Sequence, residues 1–412
     1  MLDIKFIHDN VDLIKDNTKK RNNKVDIDEL LKLDDERRKN LQEIEKLRAL
    51  RNQKSKDKPS EEEIIKMRGV GDKIKTLENK QRQAEEEYKN LLLAVPNLTH
   101  PDVPIGNEEA FRVLEKHGEP SKFNFQPKDH ETLMTELDLI DFERGAKVTG
   151  SKFYFFKNDA VLLNQAMIRY GIDICLKHGY KLLETPDLVR NDVLEGSGFN
   201  PRGEETQTYA IQDQDLSLIG TAEITTLGYH KDEILDLSSG PIKYCALSHC
   251  FRTEGGAYGK ESKGLYRVHQ FTKLEMFIFC QPEDSNKLLE ELLTIEKEIV
   301  NGLDIPYRVI DTPSGELGGP AYRKYDIEAW LPMKDDYGEI TSASNCLDYQ
   351  ARRLNIKYKR ADDSTDFVHT LNGTAVALSR FPLAFVENHQ QKNGFIRIPK
   401  IVKKYLGKKI IK

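Results

Sequence analysis

Phe251-Arg252-Thr253-Glu254, the loop Gly255-Gly256-Ala257-Tyr258-Gly259 and the return segment Leu265-Tyr266-Arg267-Val268-His269-Gln270-Phe271-Thr272-Lys273-Leu274-Glu275-Met276-Phe277 decide how this chain is read. Both flanks of the loop have the aromatic and aliphatic content of strands. On the return, Arg267, His269, Phe271, Lys273 and Glu275 recur at every second position. Period-two spacing places those side chains on one face of one strand. Such a face makes a poor core, because unpaired buried charge is costly, and a good floor for a charged, aromatic ligand. A solvated hairpin face is the plainer alternative.

A chain of 412 residues predicts two domains. With 32% charged and 38% hydrophobic residues it is too polar for one compact globule, which points to an extended, charged part. The net charge of -5 argues against general attraction to nucleic acid, so any basic patch is local. Five scattered cysteines (Cys175, Cys245, Cys250, Cys280, Cys346) and an N-terminus without an apolar signal core predict a reducing, cytoplasmic setting. Cys245, His249 and Cys250 lack C-x-x-C spacing, and such cysteines are read as small core residues rather than zinc ligands. No run of eighteen apolar residues occurs, so no membrane span is expected.

Residues 1–26 carry a short amphipathic pattern (Ile4, Ile7, Val11, Ile14) that predicts a helix. From Ile27 to about Lys56 the chain is nearly pure helix former, and Leu30, Leu33, Leu41, Ile44 and Leu47 supply an apolar stripe. Lys58-Pro59-Ser60 ends it, and Ser60 with Glu63 reads as a capping box for the next helix. There Met67, Val70, Ile74, Leu77, Gln81, Ala84, Tyr88 and Leu91 alternate steps of three and four, a heptad seam. Two such helices joined by a short polar turn predict an antiparallel coiled-coil arm of about 45–50 Å. Residues 46–82 hold twelve Lys/Arg against six Asp/Glu, whereas 27–45 and 83–93 together hold five against ten. Solvated coiled coils mix their signs, so a basic distal half points to a polyanion.

Pro96, Pro101, Pro104 and Gly106 mark a linker, giving expected domains 1–98 and 99–412. Beyond it, helices are expected over Ala160–Lys177 and Glu283–Asn301. Strands are expected at 180–186, 216–220, 243–247, 270–280, 307–310, 325–330 and 338–343. Hairpin-like spacing without regular βαβ units predicts an α+β fold, an antiparallel sheet flanked by helices.

Neither a P-loop nor a convincing dinucleotide fingerprint occurs, so side chains would have to hold any nucleotide phosphates. Lys177-His178-Gly179-Tyr180 through Thr185-Pro186 resembles motif 1 of the class II aminoacyl-tRNA synthetases, and Phe251-Arg252-Thr253-Glu254 with its return strand resembles motif 2. Glu339-Ile340-Thr341-Ser342-Ala343-Ser344-Asn345-Cys346 and Leu371-Asn372-Gly373-Thr374-Ala375 through Ser379-Arg380 resemble the stretch up to and including motif 3. With Thr221-Ala222-Glu223 and the arm, the resemblance to the bacterial-type seryl-tRNA synthetases covers the whole chain.

The resemblance implies a class II catalytic domain with an N-terminal tRNA-binding arm, a homodimer built on motif 1, and the substrates ATP, L-serine and serine tRNA. It admits selenocysteine tRNA as a second acceptor. It implies that Arg252 meets the α-phosphate, Glu254 the adenine amino group, Phe271 and Val268 the base, and Arg380 the γ-phosphate, with Thr253, Ile340 and Thr341 also in the ATP site. Glu339 and Ser342 would hold Mg2+. Thr221, Ala222, Glu223, Glu275, Asn372 and Thr374 would line the serine pocket with Arg252, and Glu275 would pair with the ammonium. Arg252, Glu339 and Arg380 would carry catalysis. The arm would address the long variable arm of serine tRNAs. Two departures stand out: Ser379 replaces the glycine usual before the motif 3 arginine, and Thr374 replaces a serine. A carrier-loading relative would not need the intact Thr221-Ala222-Glu223 and full-length arm. An RNA-binding scaffold would not need Arg252, Glu254, Glu339 and Arg380 together.

Overall fold

The computed structural model describes residues 1–54, 61–199, 208–254 and 264–412. The glycine-rich loop, Ser60 of the expected capping box and Lys56 therefore lie outside the described residues. The chain divides into two compact units, Met1–Leu98 and Thr99–Lys412.

In the first unit the expected N-terminal helix is two, Ile4–Asp9 and Val11–Lys20, which bury Ile7 and Ile14. Two long helices follow, α1 (Ile27–Lys54) and α2 (Glu61–Ala94). They run antiparallel: Arg37 meets Glu85 (3.4 Å), whereas farther along α1 Glu43 meets Lys73 (2.9 Å) and Arg48 meets Glu78 (2.7 Å). Every member of the expected α2 seam is buried or half-buried. The α1 stripe needs one correction. Leu41 is exposed, and Arg37 and Asn40 stand in line with Leu30, Leu33, Ile44 and Leu47. Strictly alternating steps of three and four from Leu30 through Leu33 pass through 37 and 40 rather than 41, so heptad geometry overrides side-chain hydrophobicity. Arg37 fits the seam because its guanidinium lies 4.5 Å from the Tyr88 ring centroid and pairs with buried Asp34 at 2.9 Å.

The second unit is built on Arg112–His117 (β1), Lys181–Glu184 (β2), Ile242–Phe251 (β3), Gln270–Cys280 (β4), Tyr307–Asp311 (β5), Arg323–Leu331 (β6), Asp336–Leu347 (β7) and His369–Ala377 (β8). They form one sheet in the order β1-β5-β6-β7-β8-β4-β3-β2. Neighbours are antiparallel except β2, which pairs parallel with β3. The expected strand at 307–310 is thus one residue longer, and 325–330 and 338–343 extend at both ends. The central strand β8 was legible only as a motif.

Among the helices that flank the sheet are α3 (Asp159–Lys177), α4 (Ala222–Gly228), α5 (Ser285–Gly302) and α6 (Arg380–His389). Alternation along β4 sorts its two faces. Leu274, Met276 and Ile278 join Leu163 and Met167 of α3 and Leu292 and Ile295 of α5 in the main core. Phe277 and Phe279 point the other way and pack with Ile224 and Leu227 of α4. That second face also carries Lys273 and Glu275. Among the described residues no helix is long and apolar enough to cross a membrane.

The expected face on the return strand shortens. Gly264–Tyr266 is a single 3-10 turn with Gly264 at φ +61°, and the ladder begins at Gln270. The chain has to reverse direction before it can pair, so Arg267 and His269 precede the strand. Phe271, Lys273 and Glu275 remain on it.

Glu296 of α5 is fully buried under this sheet, where a Cβ on Gly373 would come within 3.0 Å of its Oε1. Burial first, with the charges of Glu275 and Asp326 adding to it, pushes its carboxyl well above the ordinary 4.5. The folded state then binds the proton more tightly than the unfolded one, so Glu296 costs stability increasingly as pH rises above about 4.5. Glu296→Met should stabilise the protein at pH 7.5 by about 1–3 kcal/mol, and by less at pH 5. Denaturant titrations at the two pH values check this; a gain equal at both, or none, contradicts it.

Candidate active site

The strand ends of the second unit's polar face converge on one cavity. Its walls include Arg252 and Glu254, which follow β3, Val268, which precedes β4, Phe271 near the start of that strand, and Glu339, Ile340, Thr341 and Ser342 of β7. Thr374 of β8 and Arg380, the first residue of α6, complete it. Arg252 donates from Nε to the Gly220 carbonyl (3.3 Å), and its guanidinium lies 5.4 Å from the Phe271 ring centroid. Glu254 holds φ +50°, an uncommon conformation for a residue with a side chain, and its carboxylate accepts from Arg267 at 3.3 Å. Arg380 pairs with Glu339 at 3.1 Å and donates to the Glu339 carbonyl at 3.1 Å. Burial alone would raise the Glu339 carboxyl, but Arg380, Lys324 and Arg252 hold it at about 2.

Behind the cavity lies a cluster of buried acidic side chains and their partners. Glu275, 1% exposed, pairs with Lys273 two residues along the same strand face at 2.6 Å. Lys273 donates in turn to the hydroxyl of Thr221 (3.2 Å), which caps α4, and Thr374 donates to Glu275 (3.4 Å). Glu223 sits in the first turn of α4, where its Oε1 accepts from Gln350 (2.7 Å) and Asn372 (3.1 Å). Burial first, then the charge of Glu275, push the Glu223 carboxyl up to about 7, against the hydrogen bond from Gln350.

The structure therefore brings together nearly every residue singled out in the sequence. Ala222 is core in α4, Thr253 lies outside the cavity wall, and the Thr341 hydroxyl donates to the Thr374 carbonyl (2.5 Å). Lys273 had a visible signal, its place in the period-two row between Phe271 and Glu275. Gln350 had none, since it reaches Glu223 across 127 residues of chain. Ser379 has φ -128°, outside the region that favours glycine, so serine sits there without backbone strain.

Two oxygen donors on one wall suit a divalent cation. Glu339 is kept ionised and Ser342, on the same cavity wall, carries a hydroxyl, both hard ligands. Magnesium is held by one or two carboxylates with waters and phosphates rather than by a full protein cage, so the pair fits that ion.

Residues 208–389 match the family model described as tRNA synthetase class II core domain (G, H, P, S and T), and residues 1–99 the one described as Seryl-tRNA synthetase N-terminal domain. Sheet, cavity and match define the second unit as a class II synthetase core. The chain belongs to the seryl-tRNA synthetase family. A Serine--tRNA ligase of Treponema denticola is 50% identical over 99% of this chain and 99% of its own length. One of Dictyoglomus thermophilum is 50% identical over 99% of this chain and 98% of its own. The crystal structure of seryl-tRNA synthetase from Pyrococcus horikoshii complexed with ATP superposes with TM-score 0.89 at 39% identity, covering 100% of this chain and 99% of that one.

Proposed function

We propose that this chain activates L-serine with ATP to seryl-adenylate and passes the seryl group to serine tRNA. The observation that carries the reading is the adjacency of two unlike compartments. One is a cavity walled by Arg252 and Arg380, and the other is the buried side-chain cluster around two carboxylates, Glu223 and Glu275, which adjoins the cavity at Lys273 and Thr374. A triphosphate suits the first and an amino acid ammonium with a hydroxyl side chain suits the second.

Arg252 stands between the compartments, where its planar fork can meet both the α-phosphate and the serine carboxylate. The carboxylate oxygen attacks the α-phosphorus, a new O–P bond forms, and the bond to the bridging oxygen breaks as pyrophosphate leaves. Arg252 and Arg380 stabilise the charge spread over the phosphates. Glu254 accepts from the adenine amino group, while Phe271 and Val268 hold the base. Glu339 and Ser342 would hold magnesium, which supplies charge neutralisation on the phosphates when bound. Thr221, Glu223, Glu275, Asn372 and Thr374 orient serine. Residues 1–98 serve as the tRNA-binding domain and 99–412 as the catalytic one. Exposed Leu176 on α3 and Leu182 on edge strand β2 support a homodimer through this face. Chemistry on tRNA supports a cytoplasmic setting.

Serine-dependent ATP–pyrophosphate exchange followed by charging of serine tRNA tests the proposal. Exchange without charging favours a carrier loader, and neither activity leaves a scaffold.

Two further outcomes follow from the pocket. Glu275→Gln should raise the serine KM about 10- to 100-fold and the ATP KM little, since a charge-assisted contact becomes neutral. The buried Lys273 partner then loses its counter-charge, so the effect should exceed that of Thr374→Ala. A larger change in ATP KM would place Glu275 in the other compartment. The second outcome is a pH dependence. Bound serine offsets the Glu275 charge that raises Glu223 and donates its hydroxyl to that carboxylate, both of which favour ionised Glu223, so serine binding strengthens as pH rises through about 7. Serine KM should fall between pH 6 and 8 in the parent and stay nearly flat in Glu223→Gln; identical profiles contradict this.

A further inference from the structure

Arg380 opens α6, and Glu387 lies seven residues on, two turns along one face of that helix. Glu387 Oε1 accepts from the backbone N–H of His130 (3.1 Å) and lies 2.8 Å from its ring Nδ1; both side chains are buried. The other ring nitrogen, Nε2, is 3.1 Å from the backbone nitrogen of Leu265. A backbone N–H only donates, so Nε2 is the acceptor and the ring proton sits on Nδ1, where it bonds Glu387. The next residue, Tyr266, carries Arg380: the guanidinium lies 4.8 Å from its ring centroid and Nε 3.5 Å from its carbonyl oxygen. The contacts close a circuit, from Arg380 through Tyr266, Leu265, His130 and Glu387 back along α6. Gly264 completes the fit, because a Cβ there would run into Nε2 of His130.

We propose that His130 is a positioning residue: clamped by Glu387, it fixes the turn at Leu265 so that Tyr266 stays beneath Arg380 and Arg380 keeps its place in the cavity. The inference rests on the reading of Arg380 as a phosphate contact. A plain core anchor would use the Glu387 bond alone; the clamp needs the acceptor at Leu265.

Two substitutions separate these. His130→Asn keeps a donor near Nδ1 but cannot reach Leu265, whereas His130→Gln carries a carbonyl out to the position of Nε2. Removing the acceptor leaves the buried Leu265 N–H unpaired, so ATP dissociation constants by calorimetry should rise about 5- to 30-fold in His130→Ala and His130→Asn. They should fall clearly below those of His130→Ala and His130→Asn in His130→Gln, which restores the acceptor at Leu265 but not the Nδ1 donor, and serine KM should move less than about twofold in all three. If His130→Ala does not fold, His130→Asn and Gly264→Ala, which crowds the ring from the other side, carry the same comparison. Unchanged ATP binding in the Asn variant overturns the clamp, as does a Gln variant no better than Ala. Serine-dependent exchange by the parent protein judges the functional reading separately.

Discussion

Alanine is expected to support ATP–pyrophosphate exchange about 10⁴-fold less efficiently than serine, measured as kcat/KM. The two amino acids differ by one hydroxyl, and size alone would give far less discrimination. The pocket is built from groups that need a polar partner. Glu223 is buried, and the bonds it receives from Gln350 and Asn372 both end on Oε1. The Thr374 hydroxyl lies 3.4 Å from Glu275. An analogue without a hydroxyl leaves a buried polar group unpaired, and that penalty exceeds the one for reduced apolar burial. Comparable exchange with both amino acids would remove Glu223 and Thr374 from the role given to them.

Replacing Lys54, Lys56, Lys73 and Lys75 with Ala should weaken tRNA binding and flatten its salt dependence while leaving pyrophosphate exchange unchanged. Every lysine–phosphate pairing that disappears should reduce the slope of log K against log salt by about 0.7–0.9. The structure refines the expected share of each lysine. Lys73 is paired with Glu43 across the arm, so its replacement also removes an interhelical ion pair, whereas Lys75 is exposed. Lys75→Ala alone should therefore change the slope with no change in thermal stability, and Lys73→Ala should change both. A serine tRNA trimmed of its variable arm should lose most of its advantage with the parent and little with the quadruple variant. Equal responses would leave the coiled coil as a structural or partner-binding element.

Much of this molecule was determined by short-range pattern. The α2 seam needed only steps of three and four, because helix geometry converts spacing into a face without reference to the rest of the chain. The Phe271, Lys273 and Glu275 row is equally local, since a strand alternates its side chains wherever it lies in a sheet. Motif resemblance supplied the candidate residues, and the cavity wall includes most of those expected to meet ATP.

Tertiary structure decided the rest. Leu41 was a sound stripe residue by hydrophobicity, yet the partner helix selects register, and register passes through Arg37 and Asn40. The face on the return strand ended at Phe271 because the turn at Gly264 bends the chain before the ladder can begin. Nothing in the spacing of Lys273 and Glu275 says whether they meet solvent or each other; burial against α4 and β8 makes them a 2.6 Å pair. Gln350 on Glu223, and His130 between Glu387 and Leu265, join parts of the chain more than a hundred residues apart. Such partners are fixed by sheet order and helix docking, and the energy that selects them comes from satisfying buried polar groups, which no local stretch of sequence displays.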